Sequence, residues 1–193
     1  MTKGRLEAFS DGVFAILITI LVLELKLPKG SDLPALRPLI PVFLSYVLSF
    51  VFLGIYWNNH HHLLQLAGRI NGSILWANLH LMFWLSLIPF VTGWMGEHPT
   101  APLPTAVYAV VMVMAAVAYT LLQNHIVRAD GEHSQLKQAV GQDRKGKLSL
   151  LLYVASVPLS FARPFLAQIC FVIVALIWLV PDRRIERHLH PSR

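Results

Sequence analysis

Apolar residues gather into six blocks along the chain, approximately Arg5–Leu27, Leu36–His62, Ile70–Gly96, Leu103–Val127, Lys147–Ala162 and Phe165–Val180. Most approach the roughly 20 residues that a helix needs to cross a hydrocarbon core about 30 Å thick. Breakers and charges separate them: Pro28 to Asp32 after the first block, His98 to Pro104 after the third, and the charged stretch Arg128 to Lys145 after the fourth. The pattern predicts an all-α, polytopic membrane protein of six transmembrane helices, in one domain over residues 1–193. The last two blocks are short and parted only by Arg163 and Pro164, which leaves open a tight hairpin near a membrane surface.

Composition agrees with this pattern. The chain is 55% hydrophobic and 13% charged, against roughly 45–50% and about 25% in an ordinary soluble domain. The lone Cys170 forms no intrachain disulfide, CxxC motif or thiolate zinc site. Basic residues before the first block superficially resemble a secretory signal. Glu7 and Asp11 interrupt it and no small-residue cleavage site follows, so the segment is expected to be kept.

The net charge of +6 is expected to reflect basic cytoplasmic loops rather than a nucleic-acid partner. With the N-terminus inside, that side collects Lys3, Arg5, Arg69, Arg128, Lys137, Arg144, Lys145, Lys147, Arg183, Arg184, Arg187 and Arg193. The other side keeps Lys26, Lys29, Arg37 and Arg163. Twelve against four predicts both termini in the cytoplasm, which an even number of spans also requires.

The first block carries the most chemistry. Asp11 lies about one turn into the span, where an ionisable side chain costs at least ~2.5–3.5 kcal/mol near the centre, so it must face protein or water. Two readings stand: a carboxylate tied to a neighbouring helix, or a group in contact with a permeating ion. At 100° per residue, Phe9, Ile16, Ile20, Leu23 and Leu27 fall on one stripe. Ser10 and Asp11 point elsewhere. The stripe by itself suits lipid, a neighbouring helix or a pore.

The second and third blocks hold further polar candidates. Consecutive His60, His61 and His62 point about 100° apart and cannot all ligate one ion, so hydrogen bonding to the first helix is favoured over metal binding. His60 and His61 are the better partners for a layer containing Arg5 and Asp11. Asn78 and His80 are read as satisfied interhelical hydrogen-bonding groups. A bis-His haem would need a second histidine at matching depth, and His125 lies about two turns away from that level. Trp57, Trp76, Trp84, Trp94 and Trp178 suit an interfacial belt. Pro41, Pro89 and Pro158 are candidate kink positions.

The run Arg5-Leu6-Glu7-Ala8-Phe9-Ser10-Asp11-Gly12-Val13-Phe14-Ala15-Ile16 resembles the signature of the transmembrane protein 175 family, the lysosomal and bacterial potassium channels. Supporting features are Trp57-Asn58-Asn59-His60-His61 at the end of the second block and Asn78 ahead of Pro89-Phe90 in the third. The resemblance implies a single six-span repeat per chain, of the bacterial type, with four chains around a central pore lined by first helices. It implies an apolar constriction at Ile16, with Ile20 and Leu23 further along, and a candidate pore hydroxyl at Thr19. It also implies that Arg5, Phe9, Ser10 and Asp11 anchor the first helix, with His60, His61, Asn78 and His80 as partners.

One helix cannot enclose a pore, so such a channel requires cyclic symmetry. A ring of apolar side chains can gate by dewetting. No TVGYG-like loop is present, so discrimination between potassium and sodium would come from dehydration at the narrow ring. The expectation is a homotetrameric, potassium-permeable channel in the cell membrane, not an enzyme, with K+ as permeant ion and neither cofactor nor metal. The alternative is a proton- or sodium-coupled secondary transporter using Asp11, although the paired broken helices of such folds are not evident.

Overall fold

The computed structural model describes residues 1–131, 134–141 and 143–179. The cationic residues Arg183, Arg184, Arg187 and Arg193, and the end of the sixth block at Val180, lie outside the described residues. The described chain is built of helices: α1 (Lys3–Leu23), α2 (Ile40–Gln65), α3 (Gly72–Ser86), α4 (Ile88–Glu97), α5 (Pro102–Asp130), α6 (Gln135–Val140), α7 (Arg144–Ala162) and α8 (Pro164–Leu179). A 3-10 turn over Leu33–Leu39 leads into α2.

Side-chain chemistry sets several of the ends. Pro41 and Pro102 sit in first turns, where a missing N–H costs nothing. Asn71 caps α3 by accepting from the Ile74 amide at 3.0 Å, and Ser134 accepts from the Lys137 amide to start α6. Gly131 ends α5 at a φ of 68°, which glycine adopts without strain.

The third apolar block is two helices rather than one. Its break falls at Leu87, two residues ahead of Pro89, whose ring cannot continue the amide ladder. Pro158 behaves differently and stays inside α7. Pro41 opens α2 without kinking it. The charged linker between the fourth and fifth blocks contains α6, which its polar composition concealed. Leu136 anchors that helix in the core.

Among the described residues, four stretches are long and apolar enough to cross a membrane, namely Lys3–Leu23, Leu33–Gln65, Gly72–Glu97 and Pro102–Asp130. α8 is apolar but shorter. α7 begins with Arg144, Lys145 and Lys147 and forms a hairpin with α8 across Arg163. Contacts at the helix ends give the alternation. Lys3 Nζ donates to the Gln65 carbonyl at 2.7 Å, which sets the start of α1 beside the end of α2. The Gly68 amide donates to Asp130 at 3.1 Å, joining the end of α5 to the same layer. At the opposite end Lys26 pairs with Glu97 at 2.5 Å, joining the segment after α1 to the end of α4.

α5 runs through the middle, against α3, α4, α7 and α8. Its buried Ala109, Ala115 and Ala118 admit neighbours closely, and Tyr108 fills the core against Phe171 of α8. Buried hydroxyls are satisfied internally. Thr92 donates to Ser49 at 2.7 Å, and Ser49 lies 3.0 Å from the Tyr108 hydroxyl.

Candidate pore helix and its anchoring network

α1 has two faces of opposite character. Leu6, Ser10, Phe14, Leu17 and Leu21 are buried against the rest of the chain. Their spacing of three or four residues is the helical repeat, so they form one continuous inner stripe. On the other face Ile16 is 58% exposed, Ile20 38% and Leu23 77%. Leu27, expected on the same stripe, lies beyond the end of α1. Thr19 is exposed, with its hydroxyl donating to the Ile16 carbonyl one turn back at 2.8 Å.

The inner stripe is fixed by one buried polar cluster. Asn78 Nδ2 of α3 donates to Ser10 Oγ at 3.1 Å, while His60 Nε2 of α2 lies 2.7 Å from Asn78 Oδ1. With Oδ1 as acceptor, the imidazole carries its proton on Nε2. All three side chains are buried. Phe14 closes the cluster, its ring centroid 5.6 Å from that of His60. Three helices therefore meet at a single carboxamide.

Asp11 takes a separate position. It is exposed, and its Oδ1 accepts from Trp57 Nε1 of α2 at 3.0 Å. Trp57 stacks on His61, with centroids 6.4 Å apart and planes 25° from parallel. Gln65 Nε2 in turn donates to His61 Nε2 at 2.8 Å. The three consecutive histidines go three ways: His60 to Asn78, His61 to Gln65, and His62 to a site between α2 and α7.

Three expected anchoring residues stand outside this network. Arg5 and Phe9 are exposed on the outer face of α1, and Arg5 makes no hydrogen bond or ion pair among the described residues. Helical geometry explains why: eleven residues at 100° bring Arg5 within about 20° of Ile16, on the outer stripe and far from Ser10. His80 accepts from Trp84 Nε1 at 2.9 Å, so its bond lies within α3 rather than between helices. Trp84 lies one turn along the same helix, within reach of the ring.

The sequence reading assigned Trp57 to an interfacial belt and missed its bond to Asp11. It also missed both clamps on α1. Lys3 donates to the Gln65 carbonyl and, at 3.3 Å, to that of Ala67, placing a cation where α2 leaves its last carbonyls unpaired. At the far end the Glu24 carboxylate packs on Gly93 of α4, occupying the space that a Cβ there would fill.

Residues 5–89 match the family described as endosomal/lysosomal potassium channel TMEM175. The chain is 55% identical over 189 residues to a potassium channel of Chryseobacterium sp. (strain P1-3), covering 98% of each chain. It is 32% identical over 183 residues to a potassium channel of Chamaesiphon minutus, covering 88% of this chain and 90% of that one. The crystal structure of a lysosomal potassium-selective channel TMEM175 homolog from Chamaesiphon minutus superposes with a TM-score of 0.82 at 30% identity. It covers 93% of this chain and 97% of its own.

Proposed function

The chain belongs to the TMEM175 family, and from that premise we propose that it encloses a K+ pore with α1 on the axis and Ile16, Ile20 and Leu23 as the constriction. The protein is a multi-pass membrane protein and a potassium channel, not an enzyme, with K+ as its permeant ion and no cofactor. Within the proposed assembly, four copies are arranged about a central axis, each chain crossing the membrane six times as one domain with both termini in the cytoplasm.

The two-faced α1 carries this reading. Its inner stripe is held through Ser10 and by clamps at both ends, while Ile16, Ile20 and Leu23 are exposed among the described residues. A helix so fixed presents its free side chains at a defined angle, which a symmetric ring requires. Four isoleucines converging on an axis form a dry constriction that opens when the ring widens enough to wet. The Thr19 hydroxyl, already donating to its own helix, keeps its oxygen lone pairs for a passing cation. Arg5 and Phe9 extend the same stripe toward the N-terminal end of the pore. The twelve-to-four division of Lys and Arg supports the orientation, and the proposed location is the cell membrane.

Liposome flux under opposing K+ and Na+ gradients tests the assignment, comparing the unmodified chain with Ile16→Asn. Passive, non-saturating K+ flux that rises in the variant supports an apolar gate at Ile16. Unchanged flux removes Ile16 from the constriction, and flux that saturates or requires a coupling ion replaces the pore with a carrier centred on Asp11.

A further inference from the structure

A second site lies away from α1. A cavity of about 200 Å3 sits between α2, α5 and α7, beside the end of α8. Five aromatic side chains line it: Phe52 and Tyr56 of α2, Tyr119 of α5, Tyr153 of α7 and Trp178 of α8. Leu63, Leu66, Ala116 and Leu136 add apolar wall between them. For comparison, an apolar cavity of about 150 Å3 holds a benzene ring and stays dry. The space here suits a single ring carrying a small substituent.

Most polar groups on the lining are already paired. Tyr119 donates to the Asn59 carbonyl at 3.2 Å, Thr120 to that of Ala116 at 2.9 Å, and Ser149 to that of Lys145 at 2.8 Å. The charged side chains are engaged as well. Asp143 caps its own helix at the Gly146 amide, and Arg144 and Lys145 have partners of their own. Nothing on the lining is therefore left to neutralise an ionised ligand. Two tyrosine hydroxyls stand apart. Those of Tyr56 and Tyr153 make no hydrogen bond among the described residues, although Tyr153 is only 3% exposed. Among those residues His62 Nδ1 is the one side-chain polar atom sealed off without a partner, so both hydroxyls open onto the cavity they line.

From these features we propose that the cavity binds a small uncharged aromatic molecule of the phenol type, its ring among the aromatic walls and its hydroxyl meeting those of Tyr56 and Tyr153. A phenolic oxygen both donates and accepts, so it pairs with a tyrosine whichever way either hydrogen turns. Ring against ring gains further through offset or edge-to-face contact. Water would meet the two hydroxyls but lie against Phe52, Leu63, Leu66 and Leu136 without hydrogen bonds. A plain hydrocarbon would cover those walls and leave the hydroxyls unmet. The site uses no residue of α1, so it stands or falls apart from the pore.

Crystals of the full-length protein soaked with 4-bromophenol test this, because anomalous scattering locates the bromine itself. The expected result is a bromine peak between α2, α5 and α7, at an occupancy roughly fivefold that of bromobenzene at the same concentration. In Tyr56→Phe/Tyr153→Phe, which keeps both rings, the two compounds should give equal occupancy. Ala116→Phe, which fills the cavity from α5, should remove the peak with either compound. Thr120→Phe fills it one turn further on, should the first variant fail to fold. In solution, 4-bromophenol should raise the unfolding midpoint of the unmodified protein relative to that of the filled variant. Three crystallographic results overturn the proposal: no bromine in the cavity, equal occupancy of the two compounds in the unmodified protein, or a phenol preference that survives loss of both hydroxyls. Ordered water that 4-bromophenol does not displace would make this a solvent site, and a peak without the midpoint shift would be binding at crystal concentration only; either also overturns it.

Discussion

Asn78 does with one carboxamide what two apolar contacts could not: its two ends are chemically different, so Ser10 of α1 and His60 of α2 are each recognised and oriented. Replacing it by leucine leaves both partners buried and unpaired. The expected cost is about 1 to 3 kcal/mol, with the lower end favoured inside a bilayer. Thermal unfolding of Asn78→Leu in detergent should show it as a lowered midpoint, and a midpoint equal to that of the unmodified protein would mean the cluster does not hold α1. Trp57→Phe removes only the indole N–H that Asp11 accepts and keeps the ring over His61. Because the pair is exposed, stability should change by less than about 1 kcal/mol. K+ flux is the informative readout here, and an altered flux with an unchanged unfolding midpoint would place the Asp11–Trp57 pair in conduction or gating.

At the scale of elements, the approach of α4 to α2 depends on Gly96. A Cβ built there would stand 2.8 Å from the Cα of Val42, and a backbone atom cannot step aside as a flexible side chain can. Gly96→Ala should therefore separate the two helices at a cost of about 1 to 3 kcal/mol, read as a lowered unfolding midpoint. The same substitution at Gly12, where nothing lies within 4 Å, supplies the control and should leave the midpoint within about 0.5 kcal/mol. The break at Leu87 belongs to this scale too. Pro89 marked it in the sequence, yet Pro158 and Pro41 gave the same signal without producing a break. Position in the helix decides part of this: Pro41 falls in the first turn of α2, where no bond is lost. α6 was invisible for a different reason: six residues are too few to show a period.

At the scale of the whole molecule, the proposed central pore requires more than one chain, because one helix cannot enclose it. Leu23→Cys in a chain also carrying Cys170→Ser puts a single thiol on the stripe. Oxidation in liposomes should then link chains in pairs, since a disulfide joins two thiols whose Cα atoms lie within about 7 Å. A bifunctional amine cross-linker acting on the surface lysines should give a ladder ending at four chains. Exclusively monomeric protein under both treatments would remove the central pore. The cysteine test bears on the axis and the ladder on the number of copies.

Much of this protein was determined by its sequence alone. Six apolar blocks follow from composition and the length of a helix needed to span hydrocarbon, and the blocks reappear as α1, α2, the α3–α4 pair, α5, α7 and α8. The stripe of Ile16, Ile20 and Leu23 follows from the angle between successive residues, a local property of any helix. The same angle set Arg5 and Phe9 on that stripe, but a family signature that joins them to Ser10 and Asp11 in one run hides their divergence around the helix. Tertiary structure decided which polar side chains meet. Ser10 finds Asn78 across 68 positions of sequence, Asp11 finds Trp57 across 46, and His80 turns to its own helix. Such pairings depend on the depth and rotation at which helices pack, and no period along a single chain encodes those.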